Sequence, residues 1–156
     1  MNNFIVILTT LIISFVLTIV TFPLGSFAPD WTQLFLIYWV LALPATIGLS
    51  LSWIIGLLVD VFVGSTLGIN AMIFTMITYL VFKIHHITRY ITIFQQSIVM
   101  FIIILLKVTL ILWIDSILDL ENYNTSLYWS CLTSSMLWPV VFYFLRWVRR
   151  KYDVIE

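Results

Sequence analysis

Residues 3–22 (NFIVILTTLIISFVLTIVTF) carry no charge, and from Trp31 to Val63 the single charged side chain is Asp60. Runs this long without charge have no water-facing side, whereas ~20 apolar residues in a helix match the ~30 Å hydrocarbon core of a bilayer. The rest of the chain repeats the pattern: 63% of the 156 residues are hydrophobic and 9% charged, with a mean hydropathy of +1.15. A soluble domain carries about 25% charged residues, so a soluble globular enzyme is nearly excluded. With short loops the length holds five or six spans and leaves no room for a soluble domain. Seven basic and seven acidic residues cancel, which removes the global basic field of a nucleic-acid binder, so no nucleic-acid partner is expected. The one cysteine, Cys131, forms no intramolecular disulfide and reads as a small apolar helix residue.

The turn signals divide the chain into one all-α, polytopic integral membrane unit over residues 1–156. Its spans are expected at 3–22, 31–45, 48–63, 69–82, 93–114 and 125–147. PLGSFAPD ends the first, and Pro44 and Gly48 break the long apolar stretch that follows. Met1, Asn2 and Asn3 are uncharged and the first apolar run is long, unlike a cleaved signal peptide, so the first span is expected to be retained. Lys83–Gln96 is the most polar interior stretch and reads as a loop with some surface-lying helical character. Six spans put Lys83, Arg89, Arg146, Arg149, Arg150 and Lys151 on one side, and Asp30, Asp115, Asp119 and Glu121 on the other. The positive-inside rule then places both termini in the cytoplasm. Trp31, Trp113 and Trp129 fall at outer ends and Trp147 at the inner end, as in an aromatic belt, while Trp39, Trp53 and Trp138 fall nearer mid-depth and read as core.

Two ionisable residues inside apolar runs stand out, Asp60 and Lys107, each costing ~2.5–3.5 kcal/mol at mid-bilayer unless paired or hydrated. At ~1.5 Å per residue they lie ~21 and ~24 Å along their spans, so a pair between them in the outer half is expected. The alternatives are Asp115 as the partner of Lys107, two turns further along, and snorkelling of both side chains to the headgroups. Gly48, Ser52, Gly56, Asp60, Gly64 and Gly68 recur at every fourth position, the spacing of close helix approach in membranes. Only Gly48 to Asp60 can share a face, since Gly64 and Gly68 fall in a turn; that face serves internal packing or a partner subunit. His85 and His86 are adjacent and diverge by ~100° on a helix, a poor chelating geometry. No phosphate loop, zinc helix or nucleophile elbow occurs, so no cofactor, metal or catalytic residue is assigned. Arg146–Lys151 suit anionic lipid at ~1 kcal/mol per basic residue, or a cytoplasmic partner.

Pro29-Asp30-Trp31, Tyr38-Trp39-Val40-Leu41-Ala42-Leu43-Pro44, Trp53-Ile54-Ile55-Gly56-Leu57-Leu58-Val59-Asp60, then Gly64, Leu67-Gly68 and Ala71, carry a further signal. With Tyr79-Leu80, Arg89 and Gln95-Gln96, they resemble the MreD family of rod shape-determining membrane proteins. The resemblance is most specific from Pro29 to Gln96. It implies a non-enzymatic inner-membrane component of the cell-elongation machinery, beside MreC, the actin-like MreB, the glycosyltransferase RodA and a transpeptidase. It also implies structural or interaction roles for Pro29, Asp30, Trp31, Trp39, Pro44, Gly56, Asp60, Gly64 and Gly68. More distantly the family resembles the six-helix substrate-binding membrane subunits of vitamin transporters, which keeps a second expectation open. In it, Asp60 and Lys107 line a polar pocket for a small solute.

Overall fold

The computed structural model describes residues 3–44, 47–88, 90–118 and 125–152. Six helices follow in the order the apolar runs set: α1 (Asn3–Thr21), α2 (Trp31–Ala42), α3 (Leu49–Val63), α4 (Ile69–Thr88), α5 (Ile93–Ile117) and α6 (Trp129–Lys151). Short 3-10 turns cover Phe22–Phe27 and Thr125–Tyr128, and no strand occurs among the described residues. Four segments, Phe4–Thr21, Ile69–Thr88, Ile93–Ile117 and Ser126–Lys151, are long and apolar enough to cross a membrane. The second and third helices are shorter: at ~1.5 Å per residue, α2 rises ~18 Å and α3 ~22 Å, less than the ~30 Å hydrocarbon core. Every residue of α2 from Thr32 to Ala42 is buried, and the helix packs against α1, α4 and α6, so protein rather than lipid surrounds it.

Successive helices alternate in direction. Tyr38, Thr88, Gln96, Arg146 and Arg149 gather at one end of the bundle, the basic end. Asp30, Gly64, Asn70, Lys107 and Asp115 gather toward the other, the acidic end. Between them the interior is filled by Trp39, Trp138, Phe35 and Phe74, all essentially inaccessible. Both buried indoles are satisfied: Trp39 Nε1 donates to Thr10 Oγ1 at 2.9 Å and Trp138 Nε1 to Gln96 Oε1 at 3.3 Å. In a bilayer such hydrogen bonds between helices fix which neighbours meet, since hydrophobicity alone does not.

Several expected boundaries and faces shift. Lys83–Thr88 is helix rather than loop, because Ile77, Val81, Ile84 and Thr88 continue the inward stripe of α4 while the polar side chains lie to its sides. The true turn is short, and α5 starts where Thr92 and Gln95 form a capping box: Thr92 N–H donates to Gln95 Oε1 at 3.0 Å and Gln95 N–H to Thr92 Oγ1 at 3.4 Å. The fifth helix runs on to Ile117, and the sixth to Lys151, where Arg149, Arg150 and Lys151 complement the carbonyl end of the helix dipole. Trp53 is not core. The buried face of α3 is Ser52, Ile55, Gly56, Val59 and Asp60, and Trp53 projects from the other side, half exposed. Arg89, Asp119 and Glu121 lie outside the described residues, as does the end of the expected second span at residue 45.

Candidate functional site

Asp60 sits in the last turn of α3 and is completely buried. Its carboxylate does not reach Lys107, contrary to the depth-matched pair expected from sequence. Five donors surround it instead. Oδ1 accepts from Ser65 Oγ at 2.8 Å and from the backbone N–H and side-chain amide of Asn70, each at 3.0 Å. Oδ2 accepts from the Gly68 N–H at 2.8 Å and the Ala71 N–H at 3.3 Å. These backbone groups open α4, whose first N–H groups have no partner within their own helix. A carboxylate there also meets the positive end of the helix dipole. The Asp60 backbone carbonyl meanwhile accepts from the Gly64 and Ser65 N–H groups, closing α3. One residue thus ends one helix and begins the next. The turn between them needs positive φ at Gly64 (70°) and Gly68 (101°), which only glycine adopts without strain.

Lys107, 6% exposed, pairs with Asp30 through Oδ2 and lies 4.5 Å from the centre of the Phe74 ring. The partner is thus Asp30, not the expected Asp60. The Lys107 ammonium meets a carboxylate rather than lipid headgroups. Asp115 lines the same cavity, and no ion pair joins it to Lys107. Asp30 is anchored in turn, its backbone N–H donating to Ser134 Oγ of α6 at 2.9 Å and its carbonyl accepting from Leu34 N–H. Pro29, buried beside it, places Asp30 at the mouth of α2. Removing one partner of such a pair strands the other, while removing both does not. Lys107→Met should therefore cost about 3 kcal/mol of stability, and adding Asp30→Asn should recover most of that loss. Thermal unfolding of the detergent-purified protein by tryptophan fluorescence checks this; strictly additive losses would exclude the pair.

Between these two clusters lies a cavity of about 580 Å³, lined by Asp30, Lys107, Asn70, Ser65, Thr66 and Asp115 among others. Its wall is mainly apolar, with Val59, Val63, Ile69, Val108, Ile111 and Leu127 beside the polar groups, and its size suits a small solute. Asp60 acts beneath it as a cap on α4.

The remaining expected residues separate into packing and turn roles. Gly56 leaves the least room of the five glycines: a Cβ there would lie 2.3 Å from Ala71 Cα. Gly48, by contrast, is exposed, and a Cβ would meet only Ser50 Oγ at 3.5 Å, so the close-packed stripe is Ser52, Gly56 and Asp60 against α4. Trp39 is interior, Trp31 is half-buried with its indole N–H unpaired, and Pro44 is half-buried after the end of α2. Cys131 is buried, as expected of a small apolar residue. His85 and His86 do not splay as adjacent helical residues should; their rings lie 3.8 Å apart, with His85 Nδ1 against the Phe82 carbonyl. Sequence reasoning missed Ser65, Asn70 and Ser134, whose polarity is unremarkable until the turn and the helix neighbours are known. The Thr92–Gln95 capping box was visible as T-x-x-Q.

Comparison with known proteins finds similarity along nearly the whole chain. A family model described as rod shape-determining protein MreD matches residues 1–148. The rod shape-determining protein MreD of Haemophilus influenzae (strain KW20/Rd) is 32% identical over 147 residues, covering 93% of this chain and 91% of that protein. No solved structure matches. A match that runs from α1 into the last turns of α6, at this identity and coverage, shows that the chain belongs to the MreD family of rod shape-determining proteins.

Proposed function

We propose that the protein is a non-enzymatic scaffold of the cell-elongation machinery in the bacterial inner membrane, with six spans and both termini in the cytoplasm. In this reading it links actin-like MreB filaments inside the cell to wall synthesis outside, beside MreC, RodA and a transpeptidase. The observation that carries it is the family match over residues 1–148. The buried chemistry is consistent with a scaffold, because Asp60 and Gly56 are spent on joining α3 to α4. Partner contacts then fall to outward residues such as Trp53, half exposed on α3, rather than to Asp60.

The cavity of about 580 Å³ beside Lys107 and Asp30 favours a second reading, a solute-binding transport subunit. Depletion in the native cell separates the two. Under the scaffold reading, cells round up and lose dispersed lateral wall insertion, and nutrients do not restore them. Rods of unchanged width that require a vitamin supplement would overturn the scaffold and leave the transport subunit.

A further inference from the structure

At Gly56 an added Cβ would lie 2.3 Å from Ala71 Cα of α4, whereas at Gly48, just before α3, it would meet no atom of α4 within 4 Å. The two helices therefore part toward the basic end. Between them lies a groove of about 360 Å³, lined by Gly48 and Leu49 on the α3 side and by Thr78, Tyr79 and Phe82 on α4, among others. Of its described lining residues only Thr78 and Tyr79 carry polar side chains. Thr78 is 1% exposed and its hydroxyl has no hydrogen-bond partner. Thr75, one turn earlier, instead donates its hydroxyl proton to the Ala71 carbonyl at 2.7 Å. Tyr79 is half exposed, and no hydrogen bond joins its hydroxyl to a described residue. Both residues stand at the middle of α4, the tenth and eleventh of its twenty, ~15 Å from either end. A helix of this length matches the hydrocarbon core. Lipid headgroups lie too far away to pair with these hydroxyls, an acyl chain in the groove offers them nothing, and an unpaired polar group at that depth costs free energy.

We propose that a second copy of this chain closes the groove, as a two-fold dimer about the membrane normal in which the Tyr79 hydroxyl of each copy donates to Thr78 Oγ1 of the other. The occupant must bring a polar group to the middle of the membrane. A second copy inserted the same way round does so by symmetry, because each residue then lies at the same depth as its counterpart. Hydroxyls both donate and accept, so adjacent hydroxyls on one surface can pair with the same two on its copy. The shape is self-complementary as well. Tyr79 and Phe82, about half exposed at the rim, form a ridge beside a notch floored by Gly48 and Thr78, and an isologous interface needs ridge and notch on one patch. Small residues that admit close approach, with hydroxyls that bond across, are what joins helices in lipid, where hydrophobicity gives no preference for protein over lipid tails. Such a dimer is compatible with either reading of function and depends on neither.

The test uses the full chain in phosphatidylcholine vesicles, with donor- and acceptor-labelled copies mixed and energy transfer followed as the lipid-to-protein ratio rises. Transfer should fall along a monomer–dimer curve. Tyr79→Phe, which keeps the ring, and Thr78→Val, which keeps the shape, should each weaken the dimer about eightfold, since either change removes two hydrogen bonds per dimer. The double variant should be no weaker than either single one, because the same two bonds are already gone. Trp53→Phe, on the outward side of α3, should change association less than about twofold. Unfolding temperatures in detergent should match the wild type for all of these, since replacing an unpaired hydroxyl by an apolar group of the same shape costs nothing in the monomer, and they show that each variant is folded. Four results would overturn the dimer: transfer no greater than random proximity gives at every dilution, wild-type association in Tyr79→Phe or Thr78→Val, losses that add in the double variant, or Trp53→Phe weakening association as much as Tyr79→Phe. The first would leave the groove to a different occupant, a membrane-spanning helix of another protein or lipid.

Discussion

Replacing Asp60 by asparagine will destabilise the protein by about 3 kcal/mol or more. The asparagine side chain is nearly the same shape, but one of its two terminal groups is itself a donor. It would face either Ser65 Oγ and the Asn70 groups or the Gly68 and Ala71 N–H groups, all of which now donate to carboxylate oxygens. At a site with no exposure, water cannot replace the lost acceptor. Ser65→Ala removes a single donor and leaves the carboxylate with four, so it should cost about 1 kcal/mol. The ranking, with Asp60→Asn far below Ser65→Ala in unfolding temperature, separates a helix cap from a charge that merely tolerates its surroundings. A loss of less than about 1 kcal/mol for Asp60→Asn would contradict the capping role.

Gly56→Ala is the second large effect, about 3 kcal/mol, the upper end for overpacking a core. The added methyl would lie 2.3 Å from Ala71 Cα, 2.7 Å from Ala71 N and 2.8 Å from the Asn70 carbonyl oxygen. All three atoms are backbone, so no side-chain rotation relieves the clash and α3 must move away from α4. That movement pulls on the Asp60 cap, since the donors of Asn70 and Ala71 belong to the segment displaced. Gly48→Ala provides the contrast. Its Cβ would meet only Ser50 Oγ at 3.5 Å, and the change should stay within about 0.5 kcal/mol. Equal losses at Gly48 and Gly56, measured by thermal unfolding of the purified variants, would mean that small residues act here through composition rather than through contact.

The candidate site was only partly legible in sequence. Asp60 and Lys107 announced themselves because a charge inside an apolar run needs a partner. Rise per residue gave their heights along the bundle, but height leaves the angle around the helix and the order of neighbours open. Asp60 turned inward to the start of α4, which its own turn brings back beside it, and Lys107 found Asp30 from a segment far away in sequence. The fourth-residue stripe predicted close approach, and the structure grants it at Gly56, while Gly48 at the start of α3 lies outside the contact.

Sequence by itself determined that the chain is helical and apolar, that it contains six helices in this order, and that Gly64 and Gly68 turn the chain between α3 and α4. Those features follow from local causes: missing charge, hydrogen bonds closed within each helix, and φ values that only glycine adopts freely. Tertiary structure decided which faces meet. For a helix in lipid, both sides are apolar, so hydrophobic periodicity does not distinguish Trp53 facing out from Trp39 facing in. The distinction comes from small residues that let backbones approach and from polar groups that must find one another, Trp39 with Thr10, Trp138 with Gln96, Lys107 with Asp30. These are contacts between distant segments, and they exist only once the helices have chosen their neighbours.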